Sequence, residues 1–82
     1  MKNKIEVFGA GCAKCKALHK SAQKAINELN LTDETEIVYI TDMDKIVDRG
    51  IFSTPALAYN GKIIVSGRYL PPNKLVQLFK ER

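Results

Sequence analysis

The sequence predicts a small α/β fold: one four-stranded mixed sheet with helices on both faces, in the order β-α-β-α-β-β-α. Three observations carry that prediction. A short apolar strand runs into a long amphipathic helix; a β-branched and aromatic run precedes a second, shorter helix; and Asn60-Gly61 separates two apolar runs as in a hairpin. With 82 residues, the chain has room for one domain, taken as residues 1–82.

Ile5 to Phe8 is the heart of the first strand, and Gly9-Ala10-Gly11 closes it. A helical pattern then runs from about Cys12 to Asn30. At about 100° per residue, Leu18, Ala22, Ala25, Ile26 and Leu29 share an arc with Cys15, while Lys16, Lys20 and Lys24 fall opposite. Thr35 to Ile40 is the second strand, its continuous Ile37-Val38-Tyr39-Ile40 run suiting cover on both faces. Thr41 or Asp42 offers an N-cap to a short helix with Met43, Ile46 and Val47 on one face, and Gly50 is its stop. Pro55 to Tyr59 and Lys62 to Val65 are the arms of the hairpin, joined by the preferred type I′ pair, and Gly67 ends the second arm. Pro71-Pro72 opens the last helix, which carries Leu75, Leu78 and Phe79, with Leu70 and Leu75 placed to staple its start. Right-handed crossovers are expected to leave the first three strands parallel, with the hairpin adding an antiparallel edge.

The net charge of +4 comes from 13 Lys+Arg against 9 Asp+Glu. Four of the lysines (Lys14, Lys16, Lys20, Lys24) lie within the first helix, without the interleaved aromatics that a nucleic-acid surface wants, so no nucleic-acid partner is expected. No apolar run approaches the roughly 18–20 residues of a membrane span, so no membrane partner is expected either. Met1-Lys2-Asn3-Lys4 is too charged for a signal-peptide core, and a cytoplasmic location is the expectation.

Cys12 and Cys15 are the two cysteines. A bridge between them closes almost no loop and adds little stability, so the pair reads as chemical rather than structural. Its place between a Gly turn and a helix lets unpaired N–H groups and the helix dipole favour a thiolate, and Lys14 and Lys16 add positive charge. Cys12, at the open start of the helix, is expected to attack, and Cys15, a turn deeper, to resolve the mixed disulfide. The competing reading is a metal-handling module, because two thiolates can hold Cu(I). Small copper chaperones, however, have the order β-α-β-β-α-β, with a Met where this chain has Ala10. His19 is expected to be a partly exposed surface residue rather than a zinc ligand, and no metal site is assigned.

Gly11-Cys12-Ala13-Lys14-Cys15 after the first strand, Thr54-Pro55 before the third, Asn60-Gly61 and Gly67 together resemble the thioredoxin-fold superfamily. Within it the chain looks like the short, glutaredoxin-sized thioredoxin-like redox proteins of bacteria and archaea, over nearly its whole length. The resemblance implies a sheet in the strand order 2-1-3-4, and a thiol–disulfide oxidoreductase that cycles a Cys12–Cys15 disulfide and needs no other cofactor. It implies a cis peptide before Pro55, and substrate contacts from Thr54, Pro55 and Gly67. Protein disulfides are the implied substrates, and a monomer is expected. Arg68-Tyr69-Leu70 follows Gly67 where glutaredoxins hold glutathione with a Gly-x-Asp type of sequence, so a thioredoxin-reductase-like partner is favoured over glutathione. No Trp precedes Cys12, and Ala13-Lys14 fills the motif, so Lys14 is a candidate modulator of the thiols. Glu6 lies at the offset where thioredoxins hold a buried acid below the dithiol. Two readings of it stay open: a proton acceptor for Cys15, or an exposed acid paired with Lys2 or Lys4.

Overall fold

Ile5, Val7 and Phe8 are completely buried, which makes their strand the centre of the sheet. The structure, a computed structural model, describes residues 3–81. Its elements are β1 (Asn3–Phe8), α1 (Ala13–Glu28), a single 3₁₀ turn (Thr32–Glu34), β2 (Thr35–Ile40), α2 (Met43–Asp48), β3 (Ala56–Tyr59), β4 (Lys62–Ser66) and α3 (Pro72–Lys80). The strand order is β2-β1-β3-β4, as the resemblance implies.

β1 pairs in parallel with β2, from Asn3 opposite Thr35 to Phe8 opposite Ile40. Its other neighbour departs from expectation. β3 runs antiparallel to β1, with Ile5 opposite Tyr59 and Phe8 opposite Ala56. The reason is the length of α2. Six residues rise only about 9 Å, whereas returning along the six-residue β2 takes about 20 Å. The chain therefore stays at the end of the sheet where β2 stops, and β3 starts there.

The two faces of the sheet are covered separately. Ile5, Val7, Leu57 and Val65 meet α1 and α3 through Leu18, Ile26, Leu75 and Phe79. Phe8, Ala56 and Ala58 meet Ile46 of α2 and Ile51 beyond it. The buried stripe of α1 is the one its periodicity foretells through Ile26, with Ser21 added and Leu29 half-buried at the C-cap. Ser21 is tolerated there because its hydroxyl donates to Tyr69 Oη at 3.1 Å. β2 is an edge strand, so Ile37 to Ile40 are half-buried rather than covered on both faces. No helix among the described residues is long and apolar enough to cross a membrane.

Turn chemistry fixes the ends. Asp42 caps α2 by accepting the Asp44 N–H at 2.9 Å. Asn60 and Gly61 take left-handed φ values of 51° and 87°, as a type I′ turn requires. Asn60 also ties the hairpin to β1: its N–H donates to the Lys4 carbonyl, and its Oδ1 accepts the Lys4 N–H, each at 2.8 Å. The free end of the hairpin is thereby held at the start of the central strand. Its other end, where β3 begins, lies beside the end of β1.

Candidate active site

Beyond Phe8 the β1 ladder extends by one bond, from the Gly9 N–H to the Ile40 carbonyl at 3.0 Å. The chain then turns through Gly11, at a φ of +91°, into α1. Cys12 is the N-cap residue of that helix, and its Sγ accepts the Cys15 N–H at 3.2 Å. The two cysteines are joined as a disulfide with their Cα atoms 5.1 Å apart. Their surroundings are opposite. Cys12 is exposed, whereas Cys15 is fully buried. Lys14 and Lys16 are exposed on the same first turn, which carries no acid.

Gly9 is the floor on which Cys15 rests. A Cβ placed on it would stand 2.6 Å from the Cys15 Cβ and nearer still to its sulfur. Any side chain there would push the start of α1 away from the sheet. Sequence reasoning takes Gly9 only as part of a turn; the signal is its position directly after a fully buried strand.

The opposite wall comes from the start of β3. The Thr54–Pro55 peptide is cis. Because Ala56 pairs with Phe8, Pro55 and Thr54 continue the strand line towards the level of Gly9. Gly67, at a φ of +75°, donates its N–H to the Pro55 carbonyl at 2.8 Å. A Cβ on Gly67 would come within 2.9 Å of Ser53 Cβ, so the two loops touch. Thr54, Pro55 and Gly67 thus form one ledge at the same end of the sheet as Cys12.

Glu6 departs from the exposed-pair reading: it is only 8% exposed, Lys4 is turned to solvent, and the Lys2 part of that reading lies outside the described residues. Both carboxylate oxygens accept from Arg49 Nη1 at 2.8 Å. Arg49 in turn lies over the Phe8 ring, 5.3 Å from its centroid. The carboxylate therefore sits on the α2 face of β1 in a charge-assisted pair. Arg49 is the second residue the sequence reading misses; its neighbour Gly50 marks the helix end but says nothing of where the guanidinium goes. His19 is half-buried, its ring stacked on Tyr39 at 4.9 Å. Among the described residues no three His, Cys, Asp or Glu side chains gather as a metal cluster.

A bonded Cys-x-x-Cys pair at the start of a helix, at the same end of a 2-1-3-4 sheet as the Thr54–Pro55 ledge, is the arrangement of a thioredoxin-like protein. The chain belongs to the thioredoxin domain family, which it matches over residues 3–80. A thioredoxin of Methanothermobacter thermautotrophicus is 40% identical over 65 residues, covering 79% of this chain and 82% of its own. Among solved structures, chloroplastic thioredoxin z superposes with a TM-score of 0.77 at 17% identity, over 98% of this chain and 77% of that one. Thioredoxin-2 of the malaria parasite's protein secretion machinery gives 0.70 at 17% identity, over 99% and 84%. At those identities the structural likeness speaks for the fold.

Two substitutions test the architecture. Gly9→Ala should destabilise the oxidised protein by about 1–3 kcal/mol, the usual cost of overpacking, seen as a lower urea midpoint. An unchanged midpoint would mean that Cys15 does not rest on Gly9. Glu6→Gln should cost about 1–2 kcal/mol, below the figure for a fully buried pair because Arg49 reaches solvent. The same variant should leave the pH profile of disulfide reduction unchanged, since both oxygens already accept from Arg49. A displaced profile would assign Glu6 a role in proton transfer.

Proposed function

We propose that this protein reduces or exchanges disulfides of other proteins by cycling Cys12 and Cys15 between dithiol and disulfide. The observation that carries the reading is the asymmetry of the pair: an exposed Cys12 whose sulfur accepts the Cys15 N–H, and a fully buried Cys15. A sulfur at a helix N-terminus is favoured as thiolate by the free N–H groups and the dipole, and the exposed charge of Lys14 adds to that field. Cys12 thiolate attacks one sulfur of the target disulfide and releases the other as a thiolate. Cys15, having lost its proton, then attacks the Cys12 sulfur. That step breaks the mixed disulfide, forms Cys12–Cys15 and releases the second target thiolate. Two electrons pass to the target.

Thr54, Pro55 and Gly67 serve as the docking ledge, where main-chain groups of Thr54 meet an extended substrate segment. A dithiol donor of the thioredoxin-reductase type, rather than glutathione, returns the protein to its reduced form. The reading extends to a monomer in the cytoplasm, where reductants keep such a dithiol supplied, and to no cofactor beyond the redox disulfide itself.

Insulin, a protein disulfide, tests the cycle. Cys12→Ser should lose reduction altogether, and Cys15→Ser should accumulate a covalent mixed disulfide through Cys12, resolved by mass spectrometry. Reduction by Cys12→Ser at the wild-type rate would overturn the assignment. Recycling should be supported by a thioredoxin reductase and not by glutathione with its reductase.

A further inference from the structure

Phe52 is 85% exposed, well beyond Met43 at 52% and Val47 at 50%, while Phe8 and Phe79 are buried. The segment that presents it is pinned on both sides. Ile51 is buried with Ile46 and Phe8, and its N–H donates to the Ile46 carbonyl at 3.2 Å. Pro55 is buried, and its carbonyl accepts the Gly67 N–H at 2.8 Å. Between these anchors, Ser53 lies against Gly67. With Ile51 turned into the α2 core, its neighbour Phe52 is turned into water, two residues from Thr54 on the docking ledge.

A single apolar side chain on a surface needs no explanation in general. This one is a large ring on an anchored loop, at the end of the sheet where the disulfide lies. We propose that Phe52 is a specificity-determining residue: it takes an apolar side chain lying two or three residues from the target cysteine in an extended protein substrate. The proposal rests on the disulfide-reducing cycle above. Extended chain advances about 3.3 Å per residue, so a segment passing Thr54 brings side chains at that separation over the ring. A phenyl ring has no hydrogen bond to offer and gains by removing apolar surface from water, which selects aliphatic and aromatic partners. Its neighbours Ile51 and Ser53 carry no charge to select otherwise.

Single-turnover mixing of the reduced protein with disulfide-linked peptides tests this. The peptides are matched pairs carrying leucine or serine two residues before the cysteine in one pair, and two residues after it in the other. Hydroxyethyl disulfide, which has no side chain for the ring, is the reference. In each reaction the protein dithiol becomes the Cys12–Cys15 disulfide and the probe becomes two thiols. In at least one pair the leucine peptide should react about 5- to 10-fold faster than its serine partner. Phe52→Ser should bring it down to the serine rate and leave hydroxyethyl disulfide unaffected. Ile63→Thr, which changes another exposed apolar side chain near the Asn60-Gly61 turn at the far end of the sheet, should keep the preference. No preference in either pair, or a preference that survives Phe52→Ser, overturns the role of Phe52 alone. Failure of the wild-type protein on every probe, hydroxyethyl disulfide included, overturns the redox cycle instead.

Discussion

The close approach of Cys15 to the Gly9 backbone is the constraint on which the reactive end of the molecule depends. It sets how near α1 lies to the sheet, and so where the helix N-terminus points. With Cys15 sealed against the strand, Cys12 becomes the cap, and its sulfur takes up the Cys15 N–H that would otherwise lack a partner. The missing Cβ at Gly9 leaves the room that the buried Cys15 side chain occupies. Chemistry follows from packing here: the two thiols are identical in the sequence and differ only in what surrounds them.

A second consequence comes from the short α2. Because it cannot carry the chain back along the sheet, the end of β1, the end of β2 and the start of β3 all lie together. The Gly9–Cys12 turn and the Thr54–Pro55 ledge are thereby neighbours despite their distance in sequence. Gly67 closes the group from the other end of the hairpin, through its bond to Pro55. The Arg49–Glu6 pair fastens the exit of α2 to the central strand, with the guanidinium resting on Phe8. Four separate stretches of chain thus converge on one surface, and Phe52 stands at its margin.

Much of this was legible in the residues. The apolar arc of α1, the Asn60-Gly61 turn and an N-cap at Thr41 or Asp42 follow from local patterns whose periods or turn preferences are specific, and the strand order from the family resemblance. What escaped depends on tertiary distance. The direction of β3 turns on whether six residues of helix can span a strand, and the apolar pattern of Met43, Ile46 and Val47 is the same either way. Glu6 reads as a costly acid in a central strand, but its partner lies far along the chain, at a helix end that charge counting leaves in solvent. Gly9 looks like any turn glycine until the depth of Cys15 is known. Ser21 looks polar on an apolar stripe until Tyr69 is seen to reach it.

The central proposal is that packing, not residue type, makes Cys12 the nucleophile and shields Cys15. Timed alkylation of the reduced, folded protein with iodoacetamide near neutral pH, with each site located by mass spectrometry, addresses it directly. Cys12 should be modified at least about tenfold faster than Cys15, and unfolding in denaturant should bring the two rates together. Equal rates in the folded protein, or faster modification of Cys15, would contradict the account.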